Sequence, residues 1–426
     1  MLLLTQRLPY PPNKGDKVRS YHLLRELAKC YRVHLGTFID DPADLEHRDA
    51  LAECCASTCI VEALGPWRKV RRATALLDGA PLSVRNFRSR QLARWVRRLA
   101  AEHPLRAAVA VSSPMAAYLE VLPGDGLVRI VDFVDLDSEK WRQYGAEARG
   151  PLGWVYRREG RLLSKLERRL AGSMDWSLFV SENERAEFLR SAPDLSGRVL
   201  AVENGVDADY FRPRDAYPDP YPRGARPIVF TGAMDYAPNI EAVGWFAAEV
   251  FPRVRREIPD ASFWIVGLNP APAVLALARQ EGVGVTGRVP DVRPYLQHAA
   301  LAIAPIRVAR GVQNKVLEAL AMGKPVVASP AAATGIHPGA RTGLFEAGEP
   351  EVFAARVVAV LNATRPPAAA IRQGVTRHYD WERNLSGTAA LLSGTPPGTP
   401  PGRPTGEPAP DLALEAGTRR AGAGLG

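Results

Sequence analysis

Long apolar runs are missing from this sequence of 426 residues. No stretch of about 18 consecutive apolar residues occurs, so we expect no membrane-spanning helix. The opening MLLLT reaches Gln6 and Arg7 too soon to form the apolar core of a secretion signal. We therefore expect a cytoplasmic protein.

Cysteine is also scarce. Cys30, Cys54, Cys55 and Cys59 are the four cysteines, which are too few and too clustered for a disulfide framework. The paired C-x-x-C spacing that is typical of zinc sites is missing. We expect reduced packing cysteines and no metal, and a zinc site formed by His47 with the last three cysteines is the weaker alternative.

Several catalytic motifs do not occur. The sequence has no G-x-x-x-x-G-K-[ST], which excludes a P-loop NTPase. It also has no H-E-x-x-H, G-x-S-x-G or C-x-x-C, which argues against a metalloprotease, a serine hydrolase and a thiol oxidoreductase. A G-x-G-x-x-G at Gly282, Gly284 and Gly287 lies within a short strand and leads into a loop, so we treat it as chance.

Negative charge is rare in one part of the chain. Residues 66–106 hold eleven Lys or Arg against one Asp and one Glu, an excess equal to the net charge of +9 of the whole chain. A second basic segment, 153–172, sets six cations among Trp, Tyr and Leu at helical spacing. Both predict amphipathic helices with a cationic face. A solvated face and a face on an anionic membrane surface both stay open, and nucleic acid is not expected because no nucleic-acid motif accompanies the charge.

Short apolar runs alternate with helical patterns along most of the chain. Such runs lie at 2–5, 32–38, 107–111, 128–133 and 176–181. After a segment rich in Pro, Asp and Gly, they resume at 227–232, 262–267, 283–287, 301–306 and 325–329. This pattern is typical of βαβ units around a parallel sheet. We therefore predict an α/β protein with parallel sheets in two domains.

The composition also predicts the boundaries. We expect a first domain at 1–205, a linker at 206–226, a second domain at 227–380, a helix at 381–393 and a tail at 394–426. The tail is rich in Gly and Pro and cannot bury a core, so we expect it to be disordered.

Three strand-to-helix junctions have the pattern that holds phosphate, because a helix N-terminus presents free backbone N–H groups. Gly15 follows the opening strand and precedes a helix. Gly232 ends the first strand of the second domain. Gly311 lies in PIRVARGVQNKVLEALAMGKPVVAS, just before another helix.

The helix after Gly311 carries Asn314, Lys315 and Glu318. Lys315 and Glu318 lie on one helix face, at i and i+3. A cation suited to a diphosphate and a carboxylate suited to ribose hydroxyls could therefore meet one ligand. An ordinary surface ion pair is the alternative.

This segment is similar to the family 4 retaining glycosyltransferases of the GT-B fold. Their signature is a Glu with an adjacent Gly, a second Glu eight residues after the first, and then A-x-G-x-P-V-V-A. Gly311, Glu318, Gly323 and 325–328 match it, whereas Arg310 occupies the position of the first Glu.

Five blocks narrow the resemblance. DFVDLDSEKW, FVSENE, NGVDADYF, FTGAMDYAPNIEAVGWF and RGVQNKVLEALAMG occur in this order. Together they look like the bacterial sugar transferases associated with exosortase (PEP-CTERM) exopolysaccharide systems.

The resemblance implies a GT-B architecture in which two Rossmann-like domains face a cleft. A nucleotide-diphosphate sugar would be the donor substrate in the C-terminal domain, with no separate cofactor. The acceptor would be a glycan or a polyprenyl-diphosphate-linked sugar, held mainly by the N-terminal domain at the inner face of the cytoplasmic membrane. The helix at 381–393 would cross back to the first domain.

The resemblance also implies roles for single residues. The residues expected to bind the donor are Glu318 at the ribose, Gly311, Asn314 and Gly232 at the phosphates, and Arg288 and Gly15. The residues expected to act in catalysis are Asp132, Lys315 and Arg310. Asp132 stands near the place where many relatives have a His, with Asp135 and Asp137 as alternatives. Ala233 and uncharged residues replace the usual basic pair, so Lys315, Arg288 and Arg310 are the candidate cations.

Two other functions stay open. A nucleotide-sugar epimerase of the same fold would need histidines in the cleft, where only His22, His298 and His337 are candidates. An inactive membrane-docked scaffold of GT-B fold is the third interpretation, to which Arg310 and the missing basic pair give some weight.

Overall fold

The computed structural model describes residues 1–12, 15–64, 79–124, 126–307, 311–363 and 366–392. The strands are β1 (Leu2–Leu4), β2 (His34–Ile39), β3 (Ser57–Glu62), β4 (Ala107–Val111), β5 (Val128–Val134), β6 (Trp176–Phe179), β7 (Val199–Ala201), β8 (Arg226–Thr231), β9 (Ala261–Val266), β10 (Val283–Gly287), β11 (Leu301–Ala304), β12 (Val326–Ala328) and β13 (Leu344–Glu346).

The helices are α1 (Gly15–Ala28), α2 (Leu82–Asn86), α3 (Arg90–Glu102), α4 (Ser113–Ala116), α5 (Asp137–Glu147), α6 (Gly150–Ser173), α7 (Glu182–Ser191), α8 (Ala237–Trp245), α9 (Phe251–Glu257), α10 (Pro272–Leu277), α11 (Arg293–His298), α12 (Asn314–Ala321), α13 (Pro330–Thr334), α14 (Pro350–Asn362), α15 (Ala368–His378) and α16 (Trp381–Leu392). A π-helical turn at Phe246–Val250 joins α8 to α9. The predicted tail at 394–426 and the basic residues 65–78 lie outside the described residues.

Two parallel sheets organise the chain. The first has the order β3-β2-β1-β4-β5-β6-β7 and the second β10-β9-β8-β11-β12-β13. Every neighbouring pair of strands is parallel, so the predicted α/β fold with two parallel sheets is confirmed. The strand order reverses between β1 and β4 and again between β8 and β11. Ligands of such sheets bind beyond the carboxyl ends of the strands at these reversals.

The first sheet is covered on both faces. Along β1, Leu2 and Leu4 enter one apolar cluster and Leu3 enters another, because successive side chains of a strand point to opposite faces. Helices α3, α6 and α7 pack on the first of these faces, and α1 and α16 pack on the second. The central strands therefore read as continuous apolar runs in the sequence.

The last helix, α16, completes the core of the first domain although it follows the second sheet in sequence. Leu385 and Leu392 join the apolar cluster that contains Leu24 of α1. Trp381 stacks on His22, with ring centroids 4.6 Å apart and planes inclined by 9°. The end of the chain that the structure describes is thus fastened to the first domain.

The cysteines and the helices bear on two sequence predictions. Among the described residues, no three His, Cys, Asp or Glu side chains are grouped to hold a metal ion, and the cysteines are free thiols. His47 packs edge-on against Tyr10, with ring centroids 5.5 Å apart, rather than against the cysteines. None of the described helices is long and apolar enough to cross a bilayer.

Candidate functional site

The carboxyl ends of the two sheets face each other across a cleft, and two glycines lie where loops of the two domains come close to each other. A Cβ built on Gly15, the first residue of α1, would be 3.8 Å from Nδ2 of Asn314. A Cβ built on Gly311 would be 3.1 Å from Cγ2 of Val180 and 3.3 Å from Oδ1 of Asp135. Gly311 also has a φ of +56°, which favours glycine. The loops after β1, β5, β6 and β11 therefore enclose one space.

The strand reversal of the second sheet places Gly232, after β8, beside the helix α12 that follows β11. Gly232 has a φ of +152°, and a Cβ there would lie 2.8 Å from Nδ2 of Asn239 and 3.5 Å from Cε of Lys315. A Cβ on Gly267, at the end of β9, would overlap the carbonyl oxygen of Gly232. Because Gly232 and Gly267 have no side chains, the space beside them stays open and a ligand can approach the backbone here.

Lys315 lies over this open space beside the two glycines. Its Nζ donates a hydrogen bond of 3.0 Å to Oδ1 of Asn239, whose Nδ2 donates to the carbonyl oxygen of Ala233 at 2.8 Å. The ammonium is also 5.1 Å from the centre of the Phe230 ring. Burial lowers the pKa of Lys315 to about 8, against the opposing effect of the Glu318 carboxylate.

Glu318 lies one turn further along the same helix. Burial raises the pKa of its carboxyl group to about 7, and the charge of Lys315 opposes this shift. The pKa values of both groups therefore lie close to neutral pH, so a bound ligand can change their protonation states. Perturbed pairs of this kind in a cleft are typical of functional sites.

The N-terminus of α12 has an unsatisfied polar atom. Oδ1 of Asn314 is buried and has no hydrogen-bond partner among the described residues. The side chain of Gln313, the residue before the helix, does not cap the first turn. A helix N-terminus with free N–H groups and a lysine beside it attracts an anion such as a phosphate.

The other two predicted cations are Arg288 and Arg310. Arg288 is exposed directly after β10, two strands away from β8. Its neighbour Gly287 accepts a hydrogen bond of 3.3 Å from the backbone N–H of Gly267, which places Arg288 at the same end of the sheet as the cleft. Arg310 lies outside the described residues.

Asp132 is not in the cleft, and we correct its predicted role. Its side chain is only 1% exposed, and Oδ2 accepts a hydrogen bond of 2.7 Å from Nε of Arg19. Arg19 also donates to the carbonyl oxygen of Val202 and to Oδ1 of Asn204, both at 2.9 Å. Asp132 is therefore the buried partner of an arginine that ties α1 to β5 and to the segment that follows β7.

A bulge explains why Asp135, the alternative, faces the cleft instead. The register between β5 and β6 shifts between Asp132 and Val134, and Val134 has a φ of +68°. The backbone N–H of Val134 donates to Oδ1 of Asp132, at 3.1 Å, which holds this kink. Such a bulge changes which side chains point out of the sheet.

Sequence reasoning missed a contact across the cleft. Lys140 and Tyr144 of α5 lie close to Tyr236, which precedes α8 in the second domain. Burial acts to lower the pKa of Lys140, but its neighbours Asp137 and Asp135 contribute to a net rise. A lysine and a tyrosine four residues apart in DSEKWRQY were the signal of this contact in the sequence.

The comparisons with known proteins agree with this geometry. Residues 225–363, about a third of the chain, match the family described as Glycosyl transferases group 1. This range contains Gly232, Gly311, Lys315 and Glu318. No curated protein sequence gives a match.

Solved structures resemble nearly the whole chain. Sucrose-phosphate synthase from Thermosynechococcus elongatus has a TM-score of 0.69 at 16% identity, covering 92% of this chain and 98% of its own. HepE from Anabaena, solved with UDP-glucose, has a TM-score of 0.63 at 15% identity, covering 92% and 99%. WaaG, a glycosyltransferase involved in lipopolysaccharide biosynthesis, has a TM-score of 0.59 at 15% identity, covering 92% and 100%. The fold is therefore GT-B.

Proposed function

We propose that the chain is a retaining glycosyltransferase, related to family 4, that moves a sugar from a nucleotide-diphosphate sugar to a hydroxyl of a glycan or lipid-linked acceptor. One observation carries this proposal: Lys315 and Glu318 lie on the uncapped helix α12 at the strand reversal, within the segment that matches the family. The five sequence blocks support a role in exopolysaccharide synthesis.

The diphosphate and the ribose of the donor each have a partner in this site. The diphosphate accepts hydrogen bonds from the N-terminal N–H groups of α12 and from Lys315, above Gly232. The Glu318 carboxylate accepts hydrogen bonds from the ribose hydroxyls. The charge of the ligand also favours this arrangement. A diphosphate near Lys315 stabilises its protonated form and so opposes the lowering of its pKa by burial.

The chemical step needs no covalent intermediate on the protein. The acceptor oxygen forms a bond to the anomeric carbon on the face from which the diphosphate departs. The bond from that carbon to the diphosphate oxygen breaks, and the acceptor proton moves to this oxygen. Lys315 stabilises the growing negative charge, and the closed cleft excludes water, so catalysis is mostly positioning and electrostatics. Asp135 is the described carboxylate that can orient the acceptor hydroxyl, because it lies beside Gly311.

The histidine contacts speak against the epimerase alternative. His22 stacks on Trp381 on the α16 side of the first sheet, and Nε2 of His298 bonds to the carbonyl oxygen of Tyr217. The third candidate, His337, stacks on His378 of α15, with ring centroids 4.0 Å apart. Each of these histidines is thus engaged by residues other than Lys315 and Glu318. The scaffold interpretation is decided by ligand binding, since a scaffold without a donor site would not respond to nucleotides.

A nucleotide panel tests the donor site. We expect one of UDP, GDP, ADP and dTDP to stabilise the protein by about 2.7 kcal/mol at a hundred times its dissociation constant. The Glu318→Ala variant should lose this stabilisation, because its ribose contact is gone. Differential scanning fluorimetry measures both.

The control is Glu257→Ala, which removes an exposed carboxylate of the same domain. It should keep the full shift. If no nucleotide raises the unfolding temperature of the wild type, the transferase proposal fails and the scaffold takes its place.

We also propose that the first domain rests on an anionic membrane surface at the inner face of the cytoplasmic membrane. Helices α3 and α6, the described parts of the two basic segments, pack on the same face of the first sheet. Arg94, Arg97 and Arg98 of α3 are exposed. On α6, Leu152 and Trp154 are 54% and 53% exposed, which is unusual for large apolar side chains. Cations beside exposed apolar groups suit an anionic bilayer.

A vesicle assay tests this surface. We expect the protein to co-sediment with phosphatidylglycerol vesicles at low salt and to be released as salt rises, because screening weakens the attraction. The triple variant Arg94→Glu, Arg97→Glu, Arg98→Glu should not bind. A matched variant that reverses exposed Arg223, Arg256 and Arg279 of the second domain should bind normally. Equal binding by both variants would rule out this face.

A further inference from the structure

Residues 233–239 form a compact turn between β8 and α8, beside Lys315. The carbonyl oxygen of Ala233 accepts hydrogen bonds from the backbone N–H of Tyr236 at 3.4 Å and from Nδ2 of Asn239 at 2.8 Å. The carbonyl oxygen of Tyr236 in turn accepts from the backbone N–H of Asn239 at 2.9 Å. These three bonds hold Tyr236 and Asn239 together as one unit.

The side chain of Asn239 has a defined orientation. Asn239 is buried, and a Cβ built on Gly232 would lie 2.8 Å from its Nδ2. The carbonyl of Ala233 can only accept a hydrogen bond, and the ammonium of Lys315 can only donate one, so Nδ2 faces the first and Oδ1 faces the second. A rotated amide would lose both bonds. Asn239 therefore presents an acceptor to Lys315, which favours the charged form of the lysine.

Tyr236 reaches in the opposite direction, across the cleft. Its residue surface is 48% exposed, and in the described part of the chain it does not belong to the apolar core of the second domain. Its hydroxyl is close enough to Tyr144 of α5 for a side-chain hydrogen bond. Burial raises the pKa of Tyr236, the charge of Lys140 opposes this rise, and Asp135 adds to it. The hydroxyl therefore stays protonated at neutral pH and can act as a donor to the first domain.

Tyr144 is a firm support for this contact. Its ring packs near Trp141 and Tyr156, with ring centroids 6.0 and 6.1 Å away. The next residue, Gly145, lets α5 and α6 approach closely, because a Cβ there would lie 2.7 Å from Cγ of Arg157. The first domain thus offers Tyr236 a partner that is fixed by its own packing.

We propose that Tyr236 and Asn239 are positioning residues: the contact of Tyr236 with α5 holds the turn 233–239, so that Asn239 keeps the ammonium of Lys315 over Gly232. This inference rests on the proposed function, in which Lys315 binds the diphosphate. Neither residue touches the donor, since both act through Lys315. The first domain thereby contributes to the donor site without supplying a ligand to it.

The test is a carbon-13 NMR titration of the full chain, without ligand, with lysine labelled at Cε. The signal of Lys315 is assigned by its absence from Lys315→Met, and we expect its midpoint near pH 8 in the wild type. Among the described residues, Glu318 is the other group whose charge acts on Lys315, and it is present in every variant.

Two replacements of Asn239 should shift this midpoint in opposite directions. Asn239→Leu removes the acceptor and should lower the midpoint by about one pH unit, whereas Asn239→Asp adds a negative charge and should raise it by about as much. General loosening of the turn would hydrate Lys315 and move its midpoint upward in both variants, towards the ordinary value of about 10.4.

Tyrosine variants test the contact across the cleft. Tyr236→Phe and Tyr144→Phe each remove one hydroxyl and keep the ring, so each should lower the Lys315 midpoint by about 0.3 pH units or more. The double variant should shift it no further than the larger single shift, because both hydroxyls belong to one contact. Tyr31→Phe, a matched change at the opposite end of the first sheet, should leave the midpoint where it is. These variants also keep the test open if Asn239→Leu fails to fold.

Three outcomes would overturn the inference: an unchanged or raised midpoint in Asn239→Leu, an unchanged or raised midpoint in both tyrosine variants, or an equal shift in Tyr31→Phe. Because the titration uses no ligand, it is separate from the test of the donor site. If the midpoints shift as expected while no nucleotide binds, the proposed function fails and the positioning of Lys315 stands. If the nucleotide binds, Asn239→Leu should weaken it about fivefold at pH 8, since about a tenth rather than half of the lysine is then charged.

Discussion

Replacement of Lys315 by Met is expected to weaken the binding of the stabilising nucleoside diphosphate by about 10- to 150-fold at pH 7. The reason is the loss of a charged hydrogen-bond donor, which contributes about 1.5–3 kcal/mol when its partner is ionic. Cε of Lys315 lies 3.5 Å from a Cβ built on Gly232, where the diphosphate is proposed to bind. Isothermal titration calorimetry with the wild type and the variant measures the difference.

The pH dependence gives this prediction a second readout. The pKa of Lys315 is lowered to about 8 by burial, so the ammonium is present below that pH and is lost as pH rises through it. Nucleotide affinity of the wild type should therefore fall above about pH 8, although the bound diphosphate moves the midpoint upward. Glu318, whose pKa burial raises to about 7, gains its proton as pH falls, so affinity should also decline on the acid side. Lys315→Met should flatten the alkaline limb and move the acid limb to higher pH, because the charge of Lys315 no longer opposes the rise of the Glu318 pKa.

Unfolding of the variant is not expected to explain a loss of affinity. Burial disfavours the charge of Lys315, so its removal takes a desolvated ammonium out of the domain. The free variant should melt no lower than the wild type. The unphosphorylated nucleoside should bind both proteins equally, since it lacks the diphosphate. An unchanged affinity for the diphosphate, or an equal loss for the nucleoside, would contradict the assigned role.

Replacement of Asp132 by Ala is expected to reduce the free energy of unfolding of the first domain by about 3–5 kcal/mol. Arg19, which has no exposed surface, would keep its charge without the carboxylate that now meets it at 2.7 Å. Oδ1 of Asp132 also holds the bulge at Val134, so the variant should loosen the loop that carries Asp135. Urea unfolding followed by Trp fluorescence measures the stability.

A double variant and a surface control sharpen this prediction. Arg19→Leu together with Asp132→Leu removes both charges and should recover much of the loss, because apolar pairs of similar volume often replace buried ion pairs without cost. Asp194→Ala breaks the exposed pair with Arg168 and should cost less than about 1 kcal/mol. A loss below about 1 kcal/mol for Asp132→Ala would show that the buried pair does not hold α1 in place.

The sequence predicted the central strands well and the edges poorly. Runs such as 107–111 and 227–232 became strands because both faces of a central parallel strand are buried. The strands that no apolar run indicated, β3, β7 and β13, all lie at sheet edges, where one side lacks a partner strand. Part of each edge strand is exposed, so its residues need not be continuously apolar.

The residues of the candidate site also fall into those that the sequence predicts and those that it does not. Gly232, Lys315 and Glu318 could be found because strand-to-helix junctions carry a local pattern, and the structure brings them together. Asp132 could not be placed, because its pairing with Arg19 joins residues 113 positions apart and the bulge at Val134 depends on how β5 pairs with β6. The hydrogen bond from Lys315 to Asn239, 76 positions away, was hidden for the same reason.

The docking of α16 on α1 has a consequence for biosynthesis. The first domain lacks one of its covering helices until residues 381–392 have been translated, although its last strand ends at Ala201. At about 5–20 residues per second, the ribosome needs roughly 10–40 s to make the intervening chain. Throughout that interval the apolar groove that later receives Leu385 and Leu392 is open on a nascent chain. The first domain therefore reaches its final form only after the second has been made, and both domains mature together.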